Sequence, residues 1–306
     1  MLKFIIRRLS LAVLVLFVVA SITFFGLHLR GDPVAEALSQ TGAPQSEIDR
    51  VKKELGLDRP LPVQYVSFLG DTVTGEFGSS IFYGQKSADL IMERMPYTVM
   101  LALAAVTITI LISFPLGIAS CIWRDTWVDR ACGAFAAIGQ SVPSFVVGPL
   151  LILVFAVSLG WLPVSGADSH AGVILPALTL SLYPLSRISR LLRGCMLSVA
   201  NTDYVLNARA RGLSEASVVM RYIFRNALLP VMTVLGMQIG HLLGGAIIVE
   251  TIYAWPGIGL LMREALVNSD FSLAQSTVIF IAAIVLTVTL ATDLLYSVAD
   301  PRIRVE

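Results

Sequence analysis

The chain has 306 residues, of which 56% are hydrophobic and only 14% charged, with a formal net charge of +1. A soluble domain carries about 25% charged residues, so this composition and a mean hydropathy of +0.79 exclude an ordinary soluble enzyme. The near-zero charge also argues against nucleic acid as a partner.

A membrane-spanning helix needs about 20 apolar residues. Runs of that kind lie near 9–29, 97–122, 133–158, 171–190, 228–250 and 273–296. They predict an all-α integral membrane protein with six transmembrane helices. Lys3, Arg7 and Arg8 precede the first run, so segment 1–30 is read as a cytoplasmic N-terminus and first span. That run is long and lacks a good small-x-small cleavage site, which favours an uncleaved anchor. Segment 31–96 then falls on the extracytoplasmic side. Gly31-Asp32-Pro33 opens it as a turn, Gln45 to Leu55 and Gln64 to Val73 have helical character, and Gly75 to Ser80 is rich in turn residues. Such alternation predicts a small folded cap.

Residues 97–300 hold the other five predicted spans. Pro115, Pro143, Pro149, Pro176 and Pro184 should kink several of them. Arg187 and Arg190 enter the end of the fourth run and are expected to snorkel towards the cytoplasmic interface. Cys121, Cys132 and Cys195 lack metal-site spacing and read as free thiols. Between the fourth and fifth spans lies a polar, basic stretch from Asn201 to Pro230. Tyr204 to Arg211 favours a helix, and Gly212 stands where a left-handed cap belongs. Ser214 can cap a second helix, with Glu215 in its first turn, running to Asn226 before Pro230 opens the next span. Ala208 and Ala210 keep bulk low beside the turn. A polar helical hairpin in so apolar a chain is suited to hold a soluble partner.

The fifth span carries Gly236, Gly240 and Gly244 at intervals of four, a groove for close helix packing. Gln238 and His241 share a different face. Polar groups in hydrocarbon usually look inward, so Gln140, Ser141, Thr179, Gln238 and His241 are candidates to line a passage, with inter-helical hydrogen bonding the alternative for each. In the loop that follows, Tyr253 and Trp255 read as interfacial aromatics. Asp293 is the one acid well inside a predicted span, and 301–306 forms a short cytoplasmic tail.

Several of these segments carry a resemblance. Ala208-Arg209-Ala210-Arg211-Gly212-Leu213, followed by Arg225-Asn226-Ala227-Leu228-Leu229-Pro230, resembles the cytoplasmic loop of ABC-importer permeases of the dipeptide/oligopeptide/nickel class. Leu55 to Pro62, Glu250 to Gly259 and Asp293 to Tyr296 are similar to the same family. The resemblance implies that Tyr204 and residues 208–213 belong to a coupling helix, within 201–226, that docks on a separate ATPase. It implies that Glu250, Trp255, Pro256, Gly257 and Gly259 form an outer-gate loop, and that the cap faces an extracytoplasmic solute-binding protein. It also implies a bacterial cytoplasmic membrane and a heterodimeric pore built with a second, homologous permease. Asn207 departs from the general motif, which has glutamate there.

Absences narrow the reading. No Gly-x-x-x-x-Gly-Lys-Ser/Thr loop occurs, and lysine is confined to Lys3, Lys52, Lys53 and Lys86. ATP and Mg are therefore expected in two partner ATPase subunits and not in this chain. No catalytic or metal-binding constellation stands out, so the chain is not expected to be an enzyme. The expected cargo is a small peptide-like solute, with nickel or an opine as alternatives. Asp293 and His241 leave an ion-coupled carrier as a different class, and a membrane adaptor without transport as another.

Overall fold

The computed structural model describes residues 2–29, 35, 44–54 and 56–299. The expected turn at Gly31-Asp32-Pro33, the tail 301–306, and the side chains of His241 and Asp293 lie outside the described residues. The structure is helical throughout. Among the described residues there is no sheet, and one isolated bridge pairs Ser79 with Lys86.

The helices are α1 (Leu2–His28), α2 (Gln45–Glu54), α3 (Leu61–Thr74), α4 (Ser87–Ile122), α5 (Trp127–Ser141) and α6 (Ser144–Leu151). Then come α7 (Ile174–Ala200), α8 (Asp203–Ala210), α9 (Glu215–Ser217), α10 (Arg225–Ile252), α11 (Ile258–Val267) and α12 (Phe271–Ala299). Two π-helical stretches extend them: Ile152–Ser158 continues α6, and Val218–Phe224 joins α9 to α10. Five helices are long and apolar enough to cross a membrane; α5 with α6 and its π-helical extension passes the same test only as a pair, bent by 109° at the break between them.

The kink expected at Pro143 is a full break between two helices. Val142 and Pro143 follow Ser141 in extended conformation, and α6 restarts at Ser144. A proline lacks the amide hydrogen that would carry the α5 ladder onward. The helix of the fourth predicted span, α7, outruns its apolar stretch, reaching Ala200 and not 190. Pro230 does not open a span. It lies inside α10, and helix continues from Glu215 to Ile252.

The chain divides into two compact units. The first contains residues 1–99 and 256–290. Here α1 buries only Ala20 and Phe24 among the residues whose side chains are described, the others being exposed or half-buried, as suits a lipid-facing helix. Its last turns pack on α3. Phe24 stacks near Tyr65 and Phe68, with ring centroids 5.3 Å from each, and Ser21 Oγ lies 2.7 Å from the Tyr65 hydroxyl. Asp270 ties the unit together. One carboxylate oxygen accepts the Leu273 N–H at 3.1 Å, capping α12, while the other accepts the Phe82 N–H at 3.2 Å and the Ser80 hydroxyl. Leu90, Ile91, Ile258, Leu261, Ala265 and Leu273 form the core of this unit.

The second unit contains residues 100–255 and 291–303, and α7 runs through its middle, packed by α5, α6 and α10. Ile188, Leu192 and Met196 meet Ala227, Val231 and Leu235 towards one end. Leu175, Ala177 and Leu180 meet Leu242, Ala246 and Val249 towards the other. The two helices are therefore antiparallel. Gly139 brings α5 close to α7, since a β-carbon there would strike the Ser186 side chain.

Candidate coupling hairpin and passage-lining residues

The hairpin follows α7 directly. Thr202 turns the chain, donating its hydroxyl to Val199 O at 2.6 Å, and α8 begins at Asp203 with its acid in the first turn. Gly212 takes φ +78°, the left-handed conformation that glycine adopts without penalty, and its N–H bonds Arg209 O at 2.9 Å. Ser214 sits at the N-cap of α9 without making a side-chain cap bond. Glu215 instead closes the turn with Arg209, whose Nη2 and Nε donate to its carboxylate at 2.7 and 3.2 Å. That bond holds the Arg209 guanidinium above its usual pKa. The pair is solvent-exposed and worth roughly 1 kcal/mol or less.

Rigidity comes from underneath. Val205 and Ala208 from α8 and Val218, Val219 and Ile223 from the π-helical stretch are buried against α7 and α10. Ala208 therefore packs the hairpin's own core at 3% exposure. Tyr204, Arg209, Ala210, Arg211, Gly212 and Leu213 are exposed, as are Leu206 and Met220. The result is a firmly seated knob with a mixed apolar and basic surface.

Asp129 at the start of α5 and Arg193 on α7, which the sequence pattern does not single out, form a buried junction. Asp129 receives Arg193 Nε at 2.7 Å and Nη2 at 2.6 Å, a bidentate pair that ties α5 to α7. It also accepts the Ser120 hydroxyl from α4 and the Asp125 N–H at 3.1 Å. The apolar run begins near residue 133, so sequence alone gives Asp129 the look of a loop residue. The spacing of Asp125 and Asp129, four apart beside a helix start, was the available signal.

The expected passage residues separate. Gln140 and Ser141 stand at the α5–α6 break, where Gln140 Oε1 accepts from Arg190 Nη1 at 3.1 Å and Ser141 is exposed. Thr179 is buried; its hydroxyl donates to Leu175 O at 2.9 Å and lies 2.8 Å from the Tyr253 hydroxyl. Gln238 is buried at 1% exposure, with no partner for Nε2 among the described residues. Of the glycines, Gly240 is buried and Gly236 half-buried, while Gly244 is exposed and a β-carbon there would touch nothing.

The loop after α10 corrects another expectation. Tyr253 and Trp255 are not interfacial aromatics; each is 1% exposed in the core of the second unit. Tyr253 donates its hydroxyl to Gly148 O at 3.1 Å, and its carbonyl accepts the Gly166 N–H at 2.9 Å. Trp255 N–H bonds Glu250 O at 2.9 Å, and Glu250 is fully buried. A left-handed Ala254, with φ +46°, lets the chain turn tightly enough to bury both rings. Gly257 and Gly259 are buried at the start of α11, and Pro256 is half-buried.

The first unit contains a separate cavity of about 220 Å³, lined in part by His28, Gln64, Asp71, Glu76, Ser272 and Gln275. Nearby, Tyr83 donates to Glu264 at 2.9 Å; burial, then that bond, pushes its phenol above the usual pKa.

Residues 113–305 match the family described as the binding-protein-dependent transport system inner membrane component, and residues 1–102 match the N-terminal family of such membrane components. The chain belongs to this family. It is 37% identical over 305 residues to the glutathione transport system permease protein GsiC of Escherichia coli strain K12, covering 99% of both chains. The same identity and coverage hold for GsiC of Salmonella typhi. Among solved structures, the MetNI methionine ABC transporter in inward-facing form superposes with a TM-score of 0.60 at 16% identity, covering 69% of this chain and 96% of that one. An amino acid ABC transporter with histidines gives 0.54 at 18% identity, covering 70% and 94%. These two share the fold. The protein is thus a multi-pass inner-membrane permease subunit of an ABC importer of the peptide family. It is not itself an enzyme and binds no cofactor; ATP hydrolysis belongs to partner subunits, and a binding protein supplies the solute.

Proposed function

We propose that this chain forms half of a passage for a small peptide or peptide-like solute, paired with a second, homologous permease and driven by two ATPase subunits. The observation that carries the coupling role is the seated hairpin 203–224, rigid below and exposed above. ATP binding in the partners displaces this knob, and because its core is continuous with α7 and α10, the displacement moves both helices as a body. Both termini are cytoplasmic in this reading, as is the hairpin, and the 31–96 cap receives the binding protein outside. The peptide-like cargo is supported by the near full-length similarity to permeases named for glutathione transport.

The test is reconstitution with partner permease, ATPases and binding protein. Arg211→Glu and Gly212→Val should reduce solute-stimulated ATPase and uptake by about tenfold or more, with assembly unchanged; a left-handed position disfavours a β-branched side chain by roughly 1–2 kcal/mol. Wild-type uptake by both variants at equal assembly would overturn the coupling role. Ligand titration of the cognate binding protein with glutathione, dipeptides and Ni²⁺ checks the cargo.

A further inference from the structure

The exposed face of α7 has a pattern that coupling does not use. Tyr183, Arg187, Arg190 and Gly194 are exposed at helical spacing, while Leu185, Ser186, Ile188, Ser189 and Leu192 between them are buried. Arg187 is the middle residue of this 27-residue helix. Arg187 lies within the apolar candidate span His170–Ala200, nearer the end on which the hairpin packs. In the sequence this arginine falls at the end of an apolar run, within reach of the interface. The structure puts ten further residues of helix beyond Arg190.

A guanidinium within a membrane span is costly against lipid and belongs beside water or a polar partner. Beside it lies the broken crossing. Ser141 and Pro143 are exposed at the 109° bend between α5 and α6. Irregular backbone at membrane depth persists only where protein buries it or where it lines a wet cavity. At this break Ser141 and Pro143 are exposed, while Val142 and Ser144 are half-buried. The Arg190–Gln140 bond joins the break to the arginine stripe. A surface concavity lined by Asp129, Arg130, Gly133, Arg190 and Arg193 continues it. Its one carboxylate, Asp129, is already held by Arg193. No ion pair among the described residues involves Arg130, Arg187 or Arg190.

We propose that Arg187 and Arg190, with Gln140 at the helix break and Arg130 beyond it, form an electropositive, water-exposed stretch of the passage that receives the carboxylate groups of the solute. This rests on the permease reading above and adds a charge preference to it. Guanidinium forks match carboxylates in a planar, two-bond geometry, and every free peptide carries at least one carboxylate. The stripe lets such a solute shed water in a site that replaces it, and Gln140 keeps Arg190 turned towards the break.

The experiment uses the assembled transporter in proteoliposomes, first shown to import a peptide, with Cys121, Cys132 and Cys195 replaced by serine. Tyr183→Cys is then labelled with sulfonatoethyl (anionic) or trimethylammonioethyl (cationic) methanethiosulfonate, each rate being normalised to a free thiol. The anionic reagent should be favoured by about tenfold or more. Arg187→Gln with Arg190→Gln should bring the ratio close to one and cut peptide uptake about tenfold, while Arg187→Lys with Arg190→Lys keeps the ratio. Absence of labelling by either reagent overturns the proposal, since the face then meets lipid or a partner subunit. Equal rates in the parent, or unchanged uptake in the glutamine variant, also overturn it. A parent complex that imports no peptide fails the proposed function instead, and the labelling ratio still reports the field.

Discussion

Asp129 shows how much one residue can join in an apolar chain. Its two oxygens accept from α4, from the turn after it and, twice, from Arg193 on α7. Removing one partner leaves the other charge nearly buried, which typically costs about 3–5 kcal/mol; the half-exposed Arg193 places this pair at the lower end. Asp129→Ala and Arg193→Ala should each lower the thermal midpoint of the detergent-purified protein. The double variant should lose clearly less than the sum, because the charge left unpaired is gone as well. Additive losses would show that the two side chains do not act as a pair. Thr179 and Gln238 are polar residues of another kind at this scale: both are buried against neighbouring helices.

Elements in the second unit are locked at two places. The hairpin is locked by apolar burial beneath Gly212. The far end is locked by Tyr253, whose hydroxyl joins α6 at Gly148 O and α7 at Thr179. Tyr253→Phe keeps the ring and removes the bridge, leaving Gly148 O without that donor. It should destabilise by about 1–2 kcal/mol, read as a lowered thermal midpoint with hairpin-dependent ATPase stimulation intact. Loss of stimulation without loss of stability would assign the hydroxyl to gating. The interruption between α5 and α6 is the other decisive element. Pro143 ends one hydrogen-bond ladder, and the chain turns by 109° before the next begins.

For the whole molecule, the lysine and arginine pattern fixes an expected topology with both termini and the hairpin on the cytoplasmic side. In a cysteine-free background, Glu76→Cys should react with a membrane-impermeant maleimide in intact cells, and Thr126→Cys only after permeabilisation. The reverse pattern would invert the topology. What the sequence determined by itself was the helical class, the approximate crossings, the Gly212 turn and the family, because composition, 20-residue apolar runs and a glycine needed at positive φ are local signals. What only the tertiary structure decided was which polar and aromatic groups are covered. Local sequence made Trp255 an interfacial ring, but it is filled over by residues distant in the chain. Arg187 looked like a residue near a helix end because hydropathy falls there; the helix continues because α8 and α10 bury its last turns. Burial is a property of pairs of segments, and a single segment's pattern does not contain it.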